Sequence, residues 1–182
     1  MPRIAPLDPA TLTDEQRPVH DAIVAGPRGR VEGPLRVWLE SPALADRAQA
    51  LGAFCRYDSS LPPRLSELAI IITGAFWRAG FEFFIHAPLA GKAGIPATAI
   101  EAIRTGGEPV FTQEDERAVH AFTKELLTTR RVSDPTYAQA KDVLGERGVV
   151  DLVGIVGYYG LISLTINAFE VEVPAPAVDP FA

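Results

Sequence analysis

Glu82 and His86 stand four residues apart within residues 61–93, LPPRLSELAIIITGAFWRAGFEFFIHAPLAGKA, an otherwise largely apolar run. On a helix these positions share one face, so the carboxylate and the imidazole either exchange a proton or converge on one ligand. Glu67, on the preceding amphipathic segment, adds a third ionisable group. Two carboxylates and a histidine in apolar surroundings suit general acid–base chemistry, because burial and mutual interaction move their pKa values toward neutrality. A satisfied structural Glu–His pair has the same spacing. On the catalytic reading His86 is the acid or base that moves a proton to or from a substrate. Glu82 orients the ring or acts as the base itself. Glu67 either completes the relay or is an ordinary helix residue beside Arg64 at i−3.

Arg78 falls at the junction of the two segments. There its guanidinium is placed to receive a substrate carboxylate in bidentate fashion, or to pair with Glu82 at i+4. Trp77 and Phe81, with Phe83 and Phe84, either wall a dry pocket or fill a core. Near the C-terminus Tyr158, Tyr159 and Asn167 share one apolar segment, and Tyr159 is the candidate to bring a hydroxyl to the site. His20 and His120 lie in stretches of mixed polarity and read as surface or boundary residues. Histidines at 20, 86 and 120 show no ligand spacing, and Glu-x-x-x-His alone is a weak metal signal, so no metal is expected. No Gly-rich phosphate loop follows a strand, and Gly-x-Ser-x-Gly is absent, which leaves a dinucleotide cofactor without a seat and a hydrolase without its usual elbow. No cofactor is expected.

The elements that position these residues read as helices. The 182 residues, 47% hydrophobic and 22% charged, suit one soluble globular domain over residues 1–182. Residues 1–12 are proline-rich and read as extended. Thr13 with Gln16 at the capping-box position opens a helix to about Gly26, with Pro18 awkward inside it. Residues 27–34, PRGRVEGP, read as a loop, and Ser41-Pro42 opens a helix through about Tyr57. Helical periodicity then runs over about 63–77 and, past Gly80, through His86 to about Ala93, with Pro88 a source of kinking. A short helix follows Pro96 to Ile103. Thr112 with Asp115 opens another to about Thr129, and Ser133 one to about Arg147. The last, about 149–167, is apolar nearly all round and belongs in a core or a subunit interface. No run alternates as a strand, so the fold class is all-α.

Composition also bounds partners. The formal net charge is −6 and no Lys/Arg cluster is long enough to neutralise several phosphates, Arg130–Arg131 being only a doublet, which disfavours nucleic acid and gives no electrostatic case for a membrane. Charged and polar residues, among them Arg78, Glu82, Asp151, Asn167 and Glu170, break the apolar runs short of a span of about 20 residues. The opening MPRIAPLDPATLTDEQ lacks the apolar centre of a signal peptide. With a single cysteine, Cys55, no internal disulfide can form, which suits a reducing cytoplasm. A two-cysteine peroxidase cycle within one subunit is impossible. Cys55, in AQALGAFCRY, reads as a packed core thiol.

Residues 61–93 resemble the core of the carboxymuconolactone decarboxylase and alkylhydroperoxidase D superfamily, where a glutamate precedes Cys-x-x-Cys-x-x-x-His on the next helix. Here Glu67 matches the glutamate, Ala79 the first cysteine, Glu82 the second and His86 the histidine, so both cysteine positions are empty. LPPRLSELAI resembles the family's entry to that helix. Residues 157–174, GYYGLISLTINAFEVEVP, resemble the closing segment of decarboxylase-like members. The resemblance covers about residues 10–175 and implies a helical bundle that assembles as a trimer or hexamer, with sites near subunit contacts. It further implies a cofactor-independent lyase acting on a small carboxylated lactone or related acid. Two rivals stand beside it: a peroxidase-like oxidoreductase working through Cys55 and a partner thiol, and an oligomer that binds a small acid without turning it over.

Overall fold

The computed structural model describes residues 2–5 and 7–182, and among them there are helices and loops but no strand. Met1 and Pro6, part of the segment expected to be extended, lie outside the described residues. The N-terminal stretch packs over the end of the last helix, with the Arg3 N–H donating to the Phe169 carbonyl at 3.0 Å. A single tight turn at Pro9–Thr11 follows, capped by the Asp8 side chain.

Helix α1 spans Gln16–Ala25. Its entry is the reciprocal cap that the sequence announces: the Thr13 N–H donates to Gln16 Oε1 at 3.0 Å, and the Gln16 N–H to Thr13 Oγ1 at 3.2 Å. Pro18 is tolerated because it sits in the first turn, where no intrahelical donor is needed. A short helix α2, Pro34–Trp38, lies where no element was expected. Pro34 starts it, Gly33 before it adopts φ 55°, and Trp38 fixes it by donating Nε1–H to Thr165 at 2.9 Å. Helix α3, Pro42–Ala53, begins on its proline as expected, although Ser41 makes no side-chain cap. It does not reach Tyr57 as a regular helix: Phe54–Asp58 form one wider π-helical turn.

Helices α4, Pro63–Phe76, and α5, Gly80–Lys92, form the hairpin at the centre of the molecule. In α4 every residue of positions 65–74 is buried, because the helix packs on α5, α7 and α8 at once. Pro88 does not break α5, which continues to Lys92. Helix α6, Ala97–Thr105, closes on Gly106 at φ 75°, and α7, Glu114–Thr129, opens with Glu114, Asp115 and Glu116 in the first turn, where the helix dipole favours acids. Helix α8 runs over Asp134–Phe169 with one non-helical residue, Gly145 at φ 72°. The two helices expected either side of residue 148 are thus real, with the break two to three residues early.

By length and composition α8 could cross a membrane, against the expectation of broken apolar runs, but 61% of its most apolar 18-residue window is buried inside the protein. Its inner face, including Leu152, Ile155, Tyr159 and Ile162, joins α4 in the core. Its outer face is also apolar: Val150, Val153, Leu161 and Leu164 are exposed, with Gly154 and Gly157 open between them.

Candidate active site

Glu67 on α4 and Glu82 and His86 on α5 meet inside the hairpin. The two helices pack along their length, so an inward residue of α4 faces the same-side pair of α5. The His86 ring lies between the carboxylates, with Nδ1 2.6 Å from Glu67 Oε2 and Nε2 2.9 Å from Glu82 Oε1. The first contact is a hydrogen bond. The second lies off the direction of the ring N–H and is a charge contact, leaving Glu82 Oε1 without an aligned donor. All three side chains are buried, and His86 is only 3% exposed. Burial alone disfavours the imidazolium. The charge of Glu82 and the hydrogen bond to Glu67 outweigh it, raising the ring to about 9. At neutral pH His86 therefore carries its proton and is an acid first.

Glu67 is free for this role because Arg64 turns elsewhere: its guanidinium donates to Asp115 at 2.6 Å and Glu116 at 2.7 Å on α7. The exposed Arg64–Glu67 helix pair is therefore not what forms.

Glu82 and His86 open onto a cavity of about 360 Å³, a size suited to a small organic molecule. Phe81 and Tyr159 line it, with Ile85 and Ile162 adding apolar wall. Tyr159 packs edge-on to the His86 ring, centroids 5.2 Å apart. Its phenol is pushed well above its ordinary pKa by burial and by Glu82, so it stays protonated at neutral pH.

Arg78 and Trp77 are corrections. Neither lines the cavity. Arg78 takes φ 49° after the end of α4, which turns its side chain onto the C-terminal tail. There it donates to the Phe181 carbonyl at 2.6 Å and stacks 5.5 Å from the Phe181 ring, and it makes no pair with Glu82. Trp77 packs on Phe76, and its carbonyl accepts from Asn167 Nδ2 at 2.7 Å, tying the hairpin junction to α8.

The cations at the cavity are Arg28 and Arg30, from the loop read only as PRGRVEGP, and Arg56 from the π-helical turn. Arg30 pairs with Glu32 at 2.8 Å. Arg28 donates to the Tyr158 hydroxyl at 3.3 Å. Gly52 makes room for that contact, since a Cβ there would stand 2.0 Å from Tyr158 Oη and 2.4 Å from Arg28 Nη2. Burial raises the Tyr158 phenol to about 12 against the pull of Arg28. Two arginines around a glycine in a loop, serving no cap or helix period, were the one available signal. It did not say which wall they would join.

Cys55 lies beneath this wall, fully buried. Burial and the neighbouring Asp151 push its thiol up to about 11, with Arg28 pulling the other way. A thiol held in that state is inert. Native protein should therefore leave a disulfide reagent such as DTNB unreacted and release one equivalent only on unfolding, and rapid native labelling would contradict this assignment. Both ring nitrogens of His86 face carboxylates, and among the described residues no three His, Cys, Asp or Glu side chains converge as a metal site.

No protein-family profile matches the sequence, and no curated protein does. Solved structures match closely. An uncharacterized peroxidase-related protein from Ralstonia eutropha JMP134, described as an alkylhydroperoxidase AhpD core, superposes with a TM-score of 0.78 over 99% of this chain and 94% of its own, at 14% identity. An uncharacterized peroxidase-related protein from Silicibacter sp. TM1040 gives 0.75 over 96% and 92%, at 12% identity. A cysteine-to-alanine variant of the debrominase Bmp8, in complex with 2,3,4-tribromopyrrole, gives 0.74 over 94% and 91%, at 16% identity. The chain has the alkylhydroperoxidase D fold. Its all-α architecture is that of these proteins.

Proposed function

We propose that this protein is a cofactor-independent carboxy-lyase of the carboxymuconolactone decarboxylase type, acting in the cytoplasm on a small carboxylated lactone or related acid. The observation that carries the reading is the buried Glu67–His86–Glu82 relay at the edge of a small, partly apolar cavity. Decarboxylation breaks the bond to the carboxylate carbon and passes its electron pair into a conjugated carbonyl of the substrate, such as that of an unsaturated lactone. Carbon dioxide leaves, and the resulting carbanion needs a proton. His86, protonated at neutral pH, supplies it. Glu67 fixes the ring through Nδ1, and Glu82, which shares the cavity wall with His86, returns a proton from solvent. The apolar wall of Phe81, Ile85 and Ile162 favours the loss of charge as the carboxylate becomes neutral gas. The peroxidase-like alternative asks for a reactive thiol, and Cys55 is buried with a raised pKa.

The test is turnover of 4-carboxymuconolactone and a small panel of unsaturated lactone acids and β-keto acids, read by mass spectrometry. Loss of carbon dioxide that disappears in His86→Gln is expected. Ligands recovered bound and chemically unchanged across the panel would replace the lyase with a binding protein.

The apolar outer stripe of α8 supports assembly of copies through that helix, as a trimer or hexamer. Sedimentation should give a mass above 19.6 kDa that falls toward it in Leu161→Glu. A monomeric wild type would remove this part of the proposal.

A further inference from the structure

Arg28 and Arg56 reach the cavity from two elements that meet over it, the loop after α1 and the π-helical turn after α3. Among the described residues neither makes an ion pair with a carboxylate. Arg28 has one polar contact, the neutral hydroxyl of Tyr158, and its Nε is buried without a hydrogen-bond partner. The Arg56 guanidinium rests 5.3 Å from the centre of the Tyr57 ring. Their neighbour Arg30 differs, since Glu32 neutralises it. Two unneutralised guanidinium groups thus stand at a partly enclosed space, where an uncompensated charge is unfavourable and an anion is attracted.

We propose that Arg28 and Arg56 form a carboxylate subsite, and that the carboxylate held there is one the reaction leaves in place. This rests on the lyase reading only for the position of the reacting atoms. A guanidinium donates paired N–H bonds to a carboxylate and stabilises it as an anion. That contact opposes loss of the same group as neutral carbon dioxide, so the departing carboxylate belongs on the Phe81, Ile85 and Ile162 side, beside His86. Arg28 and the relay are linked by a file of contacts from Tyr158 to Tyr159 to the His86 ring, which sets the subsite and the proton donor at separate points of the cavity. On a lactone that carries two acid groups, one anchors at the arginines and the other is lost beside His86, while a monoacid of the same shape is bound at the arginines and not consumed.

Equilibrium binding of benzoate and of its neutral counterpart benzamide, by calorimetry, tests the subsite without any chemistry. Benzoate should bind the wild type saturably. Arg28→Gln and Arg56→Gln should each weaken it about tenfold, the factor for one charge-assisted hydrogen-bonded contact. Benzamide should be indifferent to both substitutions. Arg47→Gln, on the exposed face of α3, makes the same change in net charge and should leave benzoate affinity unaltered. If Arg28→Gln fails to fold through loss of its Tyr158 contact, Arg56→Gln carries the test, because its guanidinium lies on a ring at the surface. No saturable benzoate binding to folded wild type, or equal affinity in the wild type and Arg56→Gln, would overturn the proposal. So would an equal effect from Arg47→Gln, or displacement of benzoate by inorganic phosphate at matched concentration. Benzoate binding that survives in His86→Gln, with no turnover of any acid by the wild type, would sink the lyase reading and keep the subsite. Turnover with arginine-independent binding would do the reverse.

Discussion

His86→Gln should lower turnover by about two to four orders of magnitude, the usual contribution of a positioned proton donor, while the protein stays folded. Glutamine keeps a polar group between Glu67 and Glu82 but has no proton to give. The pH dependence carries the same assignment further. Because the folded ring titrates at about 9, the acid form is present at neutral pH and the rate should fall as pH rises through that value. Glu82→Gln and Glu67→Gln each remove a negative charge that favours the imidazolium, so each should move that limb to lower pH. A limb that stays in place in both variants would mean that the titrating group is not His86. Stability follows the same linkage. A histidine raised from 6.5 to about 9 on folding stabilises the native state fully below 6.5, and that contribution disappears as pH climbs to about 9. Denaturant midpoints of the wild type should therefore decline across this window, and those of His86→Gln should decline less.

Arg64→Leu should be the most damaging single change to stability, at about 3–5 kcal/mol, because it strands Glu116 in the interior without its partner. Glu116 is 1% exposed and Asp115 lies beside it at the start of α7. The guanidinium that bridges them comes from the first turn of α4, one turn before Glu67. The sign of the pH effect is fixed by the carboxylates. The hydrogen bond from Arg64 holds the Asp115 carboxyl below its ordinary value, so this stabilisation is present above the ordinary carboxylate range and lost as pH falls through the depressed folded value. The gap between wild type and variant should be widest at neutral pH and narrow in acid. Urea unfolding at both pH values measures it, and a neutral-pH difference under about 1 kcal/mol would show that the triad is an ordinary surface pair.

The central hairpin was readable because its signals are local. Pro63 and Gly80 mark the starts of α4 and α5, apolar residues recur at helical spacing between them, and Glu82 and His86 share a face by arithmetic alone. Glu67 was visible as a third ionisable group on the preceding segment, and only packing shows that its partner is His86 rather than Arg64. Arg78 misled because side-chain direction at a helix junction depends on the backbone. A positive φ sends it to a tail that joins the hairpin from a hundred residues away in sequence. Arg28 and Arg56 were out of reach for a related reason. One lies in a loop without period and the other in a turn where the helix widens, and nothing local says that both face α5. The break in α8 was placed at about residue 148 because apolar character rises there, whereas Gly145 alone takes the non-helical conformation.

Gly52 sits behind the cavity rather than in it, yet its missing side chain lets Tyr158 and Arg28 lie flat against α3. The outline of the chamber is thus written partly from its reverse side. A larger residue at 52 would drive the phenol and the guanidinium forward into the cavity, and the contact of Tyr158 with Tyr159 would carry the push toward the His86 ring. The shape of the cavity is therefore set in part from a position that does not line it.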